Sequence, residues 1–217
     1  GSVAAEEILI APGIKPSTDL LRLENTDVTV DSRGYIETNE FLETAAEGIW
    51  ALGDINGLAP FRHKANYEAE VIAHNLFEGN TPDNWRWARY DVVPAVTYTY
   101  PEAAHVGMTE AAARKAGYDV DVVYNHYSAA VKGYALGFLK GHDDDGFVKL
   151  VIDKKTTYLL GAHIIGHEAS ILIQPFINLM NAGEQKLQIR HEEIASPAAK
   201  KLRAEGLTRN LVRSEEH

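Results

Sequence analysis

The sequence predicts an α+β fold in two units: a strand-rich first part with one helix, then an antiparallel sheet with helices on one side. Three observations carry this. "GFVKLVID" and "YLLGAHIIG" flank the turn "KKTT", which predicts an antiparallel hairpin. Residues 64–77 repeat apolar side chains at helical spacing, whereas the apolar runs before them are short. Residues 78–91 are polar and rich in turn formers, which sets the boundary between residues 3–88 and 89–217.

In chain order, "EILIAPG" (7–13) predicts a buried strand closed by Pro12-Gly13. "VTVDSRGYIETNEF" (28–41) predicts a hairpin with a Ser-Arg-Gly turn. "GIWAL" (48–52) predicts another buried strand, which stops on Gly53-Asp54. In the helix 64–77, Ala65, Ala69, Ile72, Ala73 and Leu76 form one stripe, and Gly79 is the stop. In the second unit, 92–100 and 119–128 read as strands. Residues 109–117 read as a helix with Thr109 as N-cap and Gly117 as stop. Residues 168–183 predict a helix that is apolar on almost all sides, through Ile171, Leu172, Ile173, Phe176, Ile177, Leu179 and Met180. Such a helix is buried by more than one neighbour. The last helix starts with Ser196 as N-cap and Pro197 at its first position.

The 217 residues suffice for a real core, and 45% hydrophobic with 24% charged residues is ordinary for a globular protein. The formal net charge of −10 disfavours nucleic acid and anionic membrane surfaces as partners. With no cysteine, these residues hold no disulfide, thiolate metal site or catalytic thiol. No apolar run approaches the length of a membrane span, and no signal peptide is recognised, so a cytoplasmic protein is expected. Gly1-Ser2 leads through Val3 into "AAEEILIAPG", which reads as mid-fold sequence, so the chain is expected to begin inside a longer gene product.

Several polar clusters point to no site. His163 and His167 have metal-ligand spacing for a helix, but they lie in a strand and its turn, where they share no face. "HDDDG" (142–146) lacks the alternating ligands and closing Glu of a calcium loop. Pro175 reads as a kink.

Taken in order, the motifs resemble the C-terminal half of the pyridine nucleotide-disulfide oxidoreductases, such as dihydrolipoamide dehydrogenase, mercuric reductase, glutathione reductase and mycothione reductase. The residues that carry the resemblance are Thr44, the pair Ile49-Trp50 and Ala51-Leu52-Gly53-Asp54, with "VTYTYPEAAHVGMTEAAAR" and "GFVKLVIDKKTTYLLGAHIIGHEASILIQPF" after them. The resemblance implies that residues 3–88 are the C-terminal segment of an FAD/NAD(P)-binding region and 89–217 a dimerisation domain. It implies FAD as cofactor. NAD(P)H and the redox Cys pair would belong to Gly-rich folds absent from these residues. Where the family reads Ala-Thr-Gly-Arg, this chain has Ala11 to Ile14, "APGI".

By the resemblance, Gly53, Asp54, Arg62, His63, Lys64 and Ala65 contact the flavin. Asp54 can accept hydrogen bonds from a sugar-like chain, and the helix N-terminus faces negative charge on the reduced ring. The family's acid/base His falls at Ser196 and its orienting Glu at Lys201; neither can do that work. His191-Glu192 is the nearby substitute. A homodimer through 89–217 is implied, with helix 168–183 at the interface. Two other readings stand beside the flavoenzyme: a dimerisation module without flavin, and a parent enzyme with an electron acceptor other than a disulfide.

Overall fold

The hairpin marked by "KKTT" is the centre of the second unit. In the computed structural model, which describes residues 1–182, 184–186, 194, 196–205 and 208–210, β4 (Phe147–Asp153) and β5 (Leu159–Gly166) pair antiparallel, with a register shift at Val151/Ile152. β3 (Val120–His126) takes the free edge of β4. β2 (Glu102–Gly107) takes that of β5, and β1 (Ala95–Thr97) pairs with β2. The result is an antiparallel sheet in the order β1-β2-β5-β4-β3. β2 went unrecognised in the sequence because "EAAHVG" is made largely of residues depleted in strands. Farther along, β6 (Glu184–Lys186) pairs with β7 (Thr208–Asn210).

One face of this sheet presents Ala104, Val106, Ala162 and Ile164, with Val148 and Leu150 beside them. Ala169 and Ile173 are buried against that face, and Phe176, Ile177 and Met180 pack around them. On the opposite face α2 (Glu110–Lys115) covers one end, with Ala113 packed against Val120 and Val151. Helices therefore lie on both faces. Thr109 caps α2 as expected, its hydroxyl accepting from the Ala112 amide at 3.2 Å. The short α3 (Val131–Ala135) follows β3.

The predicted helix 168–183 is two helices, α4 (Ala169–Leu172) and α5 (Gln174–Met180). Pro175 lies in the first turn of α5. Lacking an N–H, it restarts a helix more readily than it continues one. One side of the pair lies on the sheet, while Ile171 (65%) and Leu179 (62%) are exposed on the other.

The two units divide at Ala88/Arg89: Gly1–Ala88 goes with Gln188–Glu205, and Arg89–Leu187 with Gly206–His217. In the first unit α1 spans Arg62–Phe77 and starts two residues before its apolar period does. Its buried face is Lys64, Glu68, Val71, Ile72 and Asn75; of the predicted stripe Ile72 is buried, Ala65, Ala73 and Leu76 are partly buried, and Ala69 is exposed. α6 (Pro197–Ala204) belongs to this unit, with Ala199 and Leu202 buried.

Three segments of the first unit expected to form strands are not ladders. Residues 7–13 form no strand, and Ile8, Leu9 and Ile10 are exposed. A buried strand needs neighbours for its backbone groups, and among the described residues none pairs with it. The 28–41 hairpin shrinks to one bridge, Val30 to Ile36. There Asp31 Oδ1 accepts from the Arg33 and Tyr35 amides at 2.8 and 2.9 Å, so the side chain takes amides a ladder would use. The 48–52 strand keeps one bridge, Trp50 to Glu43, and buries Ala51 but not Ile49 or Leu52. Among the described residues no helix is long and apolar enough to cross a membrane.

Candidate functional site

The Gly-Asp step at the end of "GIWAL" becomes a 3-10 turn, Gly53–Asn56. Leu52 is extended, and Gly53 then turns with φ +78°, a conformation glycine adopts without Cβ strain. The turn closes on Gly57, whose amide donates to the Asp54 carbonyl at 3.1 Å. Asp54 is exposed. Among the described residues nothing hydrogen-bonds to its carboxylate or forms an ion pair with it.

Beneath the turn lies a buried polar clasp. Lys64 and Glu68, one helical turn apart on α1, have side chains only 1% and 0% exposed and meet at 3.1 Å. Lys64 Nζ also donates to the Gly53 carbonyl at 2.8 Å and to Asn56 Oδ1 at 2.7 Å. An ammonium has three donors, and all are used. Glu68 Oε2 accepts from the Gly53 amide at 2.7 Å, and Glu68 Oε1 from Asn56 Nδ2 at 2.8 Å. Desolvating two charges is offset only where geometry and extra hydrogen bonds are this complete. The clasp therefore holds both backbone groups of Gly53 and sets where Asp54 stands.

The same helix opens beside the turn. A Cβ built on Gly53 would lie 3.7 Å from Ala65 Cβ, ordinary contact distance. The amides of the first turn of an α-helix have no internal acceptor and carry its positive end. Here the N-cap is Phe61, which offers no side-chain acceptor, and no acid occupies the first turn. That end is left available to an anionic or polar group. The His63 ring stacks on Phe61 with centroids 5.2 Å apart, and the Arg62 and His63 side chains are exposed.

Of the sequence-predicted residues, Gly53, Asp54, Arg62, His63 and Ala65 thus lie at the turn and the helix opening. The Lys64 side chain points inward to the clasp. Asn56 and Glu68 were missed. Their signal was a Lys-Glu pair four apart on one helix, which reads first as a solvated pair. Ser196 Oγ accepts from the Ala199 amide at 3.1 Å and acts as the α6 cap. Lys201 Nζ reaches Asp83 Oδ1 at 2.9 Å on the surface. His191 and Glu192 lie outside the described residues.

Residues 1–88 match the family model described as pyridine nucleotide-disulphide oxidoreductase, and residues 93–205 match that of its dimerisation domain. Mycothione reductase of Mycobacterium tuberculosis (strain ATCC 25618 / H37Rv) is 36% identical over 183 residues, covering 84% of this chain and 39% of the relative. Dihydrolipoyl dehydrogenase of Thermus scotoductus is 39% identical over 171 residues, covering 79% of this chain and 35% of the relative. Among solved structures, the HOCl-induced flavoprotein disulfide reductase RclA from Escherichia coli matches with TM-score 0.65 and 28% identity, over 78% of this chain and 37% of that one. The chain thus spans less than two fifths of each of these relatives' lengths. With both family models matched in order and the five-stranded antiparallel sheet in the second, the chain belongs to the pyridine nucleotide-disulfide oxidoreductase family.

Proposed function

We propose that this chain is the C-terminal part of an FAD-dependent NAD(P)H oxidoreductase, carrying part of the flavin site in its first unit and a homodimer surface in its second. The observation that carries the flavin reading is the exposed Asp54 carboxylate, without a partner among the described residues, on a turn locked to the opening of α1. A carboxylate is an acceptor only, and a ribityl chain offers hydroxyl donors. The donor set at the helix opening suits negative charge on a reduced flavin. Gly53 and Asp54 would hold the ribityl chain, and the Arg62-to-Ala65 turn would lie along the ring. When bound, the flavin supplies electron transfer between nicotinamide and acceptor. Asp54→Ala in the flavin-loaded parent protein is expected to release FAD, read as lost flavin absorbance after gel filtration. Undiminished retention overturns the reading.

The homodimer reading rests on α4 and α5, which pack on their sheet with one side and expose Ile171, Leu172 and Leu179 on the other. Val131 and Tyr134 of α3 are also exposed. Light scattering is expected to give a dimer. A monomer at high concentration overturns this.

A second reading concerns the acceptor. Where the family has its acid/base His and orienting Glu, this chain has a helix-capping hydroxyl and a lysine paired with Asp83. Neither moves a proton near neutral pH. The parent enzyme is then expected to turn over faster with a quinone or dioxygen than with a small disulfide. Efficient disulfide reduction would refute this reading.

A further inference from the structure

We propose that His105 and His163 form a two-ligand site for a divalent transition-metal ion on the face of the second unit's sheet opposite α4 and α5. The two residues are direct register partners, His105 on β2 and His163 on β5. Their rings approach edge to face with centroids 6.0 Å apart. Opposed residues of antiparallel strands hold their Cβ atoms about 4.5–5.5 Å apart, within the span of a two-imidazole chelate. Alternation along the strands puts Ala104, Val106, Ala162 and Ile164 on the helix-covered face, so both histidines project from the other one.

Hydrogen bonding leaves the right nitrogens available. His163 Nε2 lies 3.1 Å from the Met108 carbonyl oxygen. A carbonyl only accepts, so Nε2 carries the proton and Nδ1 keeps its lone pair. A carbonyl behind a ligand ring is the arrangement that orients metal-binding histidines. His105 is exposed and meets no hydrogen-bond partner among the described residues. Imidazole nitrogen favours Cu(II), Ni(II) and Zn(II) over the oxygen-seeking Ca(II) and Mg(II).

The charges around the pair are compatible with a cation. Lys149 is the β4 register partner of His163. Its ammonium is drawn to Glu110 Oε2 at 2.9 Å, and Arg114 occupies Glu110 Oε1 at 3.0 Å. Lys149 also lies over the Tyr124 ring, at 5.4 Å from its centroid. Glu110 thus offsets part of the Lys149 charge that acts on His163. Among the described residues no cluster of three or more His, Asp or Glu could hold a metal. Water would fill the remaining coordination positions. The His163/His167 spacing is irrelevant to this site: His167 stands past the end of β5, 3.7 Å from Glu168.

The test is a titration of the whole chain with Cu(II) alone, followed by calorimetry and electron paramagnetic resonance. One saturable equivalent with nitrogen hyperfine coupling is expected, lost in His105→Ala and in His163→Ala but kept in His142→Ala. His105 is exposed, so the His105→Ala variant should keep the native circular dichroism and report binding rather than folding. No saturable equivalent in the wild type, or an undiminished one in His105→Ala, overturns the proposal.

Discussion

Glu68 Oε2 accepts the Gly53 amide at 2.7 Å, across fifteen residues of chain, while Lys64 Nζ donates to the carbonyl of the same glycine at 2.8 Å. One residue of the turn is thereby held at both its backbone groups by one helix. Removing either charge strands the other in the interior. Lys64→Met or Glu68→Ala is expected to destabilise the first unit by about 3–5 kcal/mol. All three tryptophans, Trp50, Trp85 and Trp87, lie in that unit, so their fluorescence during urea unfolding reads it selectively. Lys64→Met/Glu68→Leu should recover part of the loss, because no unpaired charge remains.

Gly57 and Gly53 both adopt left-handed backbone, at φ +68° and +78°, but with different surroundings. A Cβ on Gly57 would meet Tyr35 Cγ at 2.7 Å, whereas one on Gly53 would touch only Ala65 Cβ at 3.7 Å. Gly53→Ala should cost the backbone strain alone, roughly 1–2 kcal/mol. Gly57→Ala should cost that and the displacement of the Tyr35 ring. The tryptophan unfolding midpoint is expected to fall further for Gly57→Ala.

Tyr127 follows β3 and donates its hydroxyl to the His167 carbonyl at 3.0 Å. Burial, with the nearby charges of Glu102 and then Glu168, pushes its phenol up to about 12. An unfolded tyrosine ionises near ~10. Between those values the folded chain binds more protons than the unfolded one, so this contribution to stability is complete below the unfolded value. It is lost as pH rises through the folded one. Phenolate absorbance should show one late-titrating tyrosine that is missing from Tyr127→Phe.

Ser196 caps α6 through its hydroxyl oxygen. Ser196→Ala is expected to destabilise by about 1 kcal/mol, whereas Ser196→Asp retains an acceptor and should stay close to wild type. Thermal unfolding followed by circular dichroism distinguishes the two.

The second unit was the more legible of the two in the sequence, for a physical reason. β3, β4 and β5 find their partners nearby in the chain, and Thr109 caps its helix through a bond to a residue three ahead. β2 escaped because alanine and glycine give little strand signal, although the pairing with β5 fixes its register. In the first unit, apolar runs suggested strands at 7–13 and 48–52, but apolarity supplies no partner for a backbone. At the site, Gly53, Asp54 and the helix opening were legible. The clasp was not, because the buried face of α1 is built on a lysine, a glutamate and an asparagine among its apolar residues. Hydrophobic periodicity is blind to charges that satisfy one another.

The clasp has a consequence for evolution and for design. The shape of the Gly53–Asn56 turn is specified by side chains of Lys64 and Glu68, beyond an intervening loop. Leu58 adds to it through its backbone alone, its amide donating to Asn56 Oδ1 at 3.2 Å, so a change of side chain at Leu58 leaves that bond in place while Asp54 keeps its station. Anyone grafting the turn onto another scaffold must transplant the first two turns of α1 as well, or carry the glycine and the aspartate without the geometry that makes them useful.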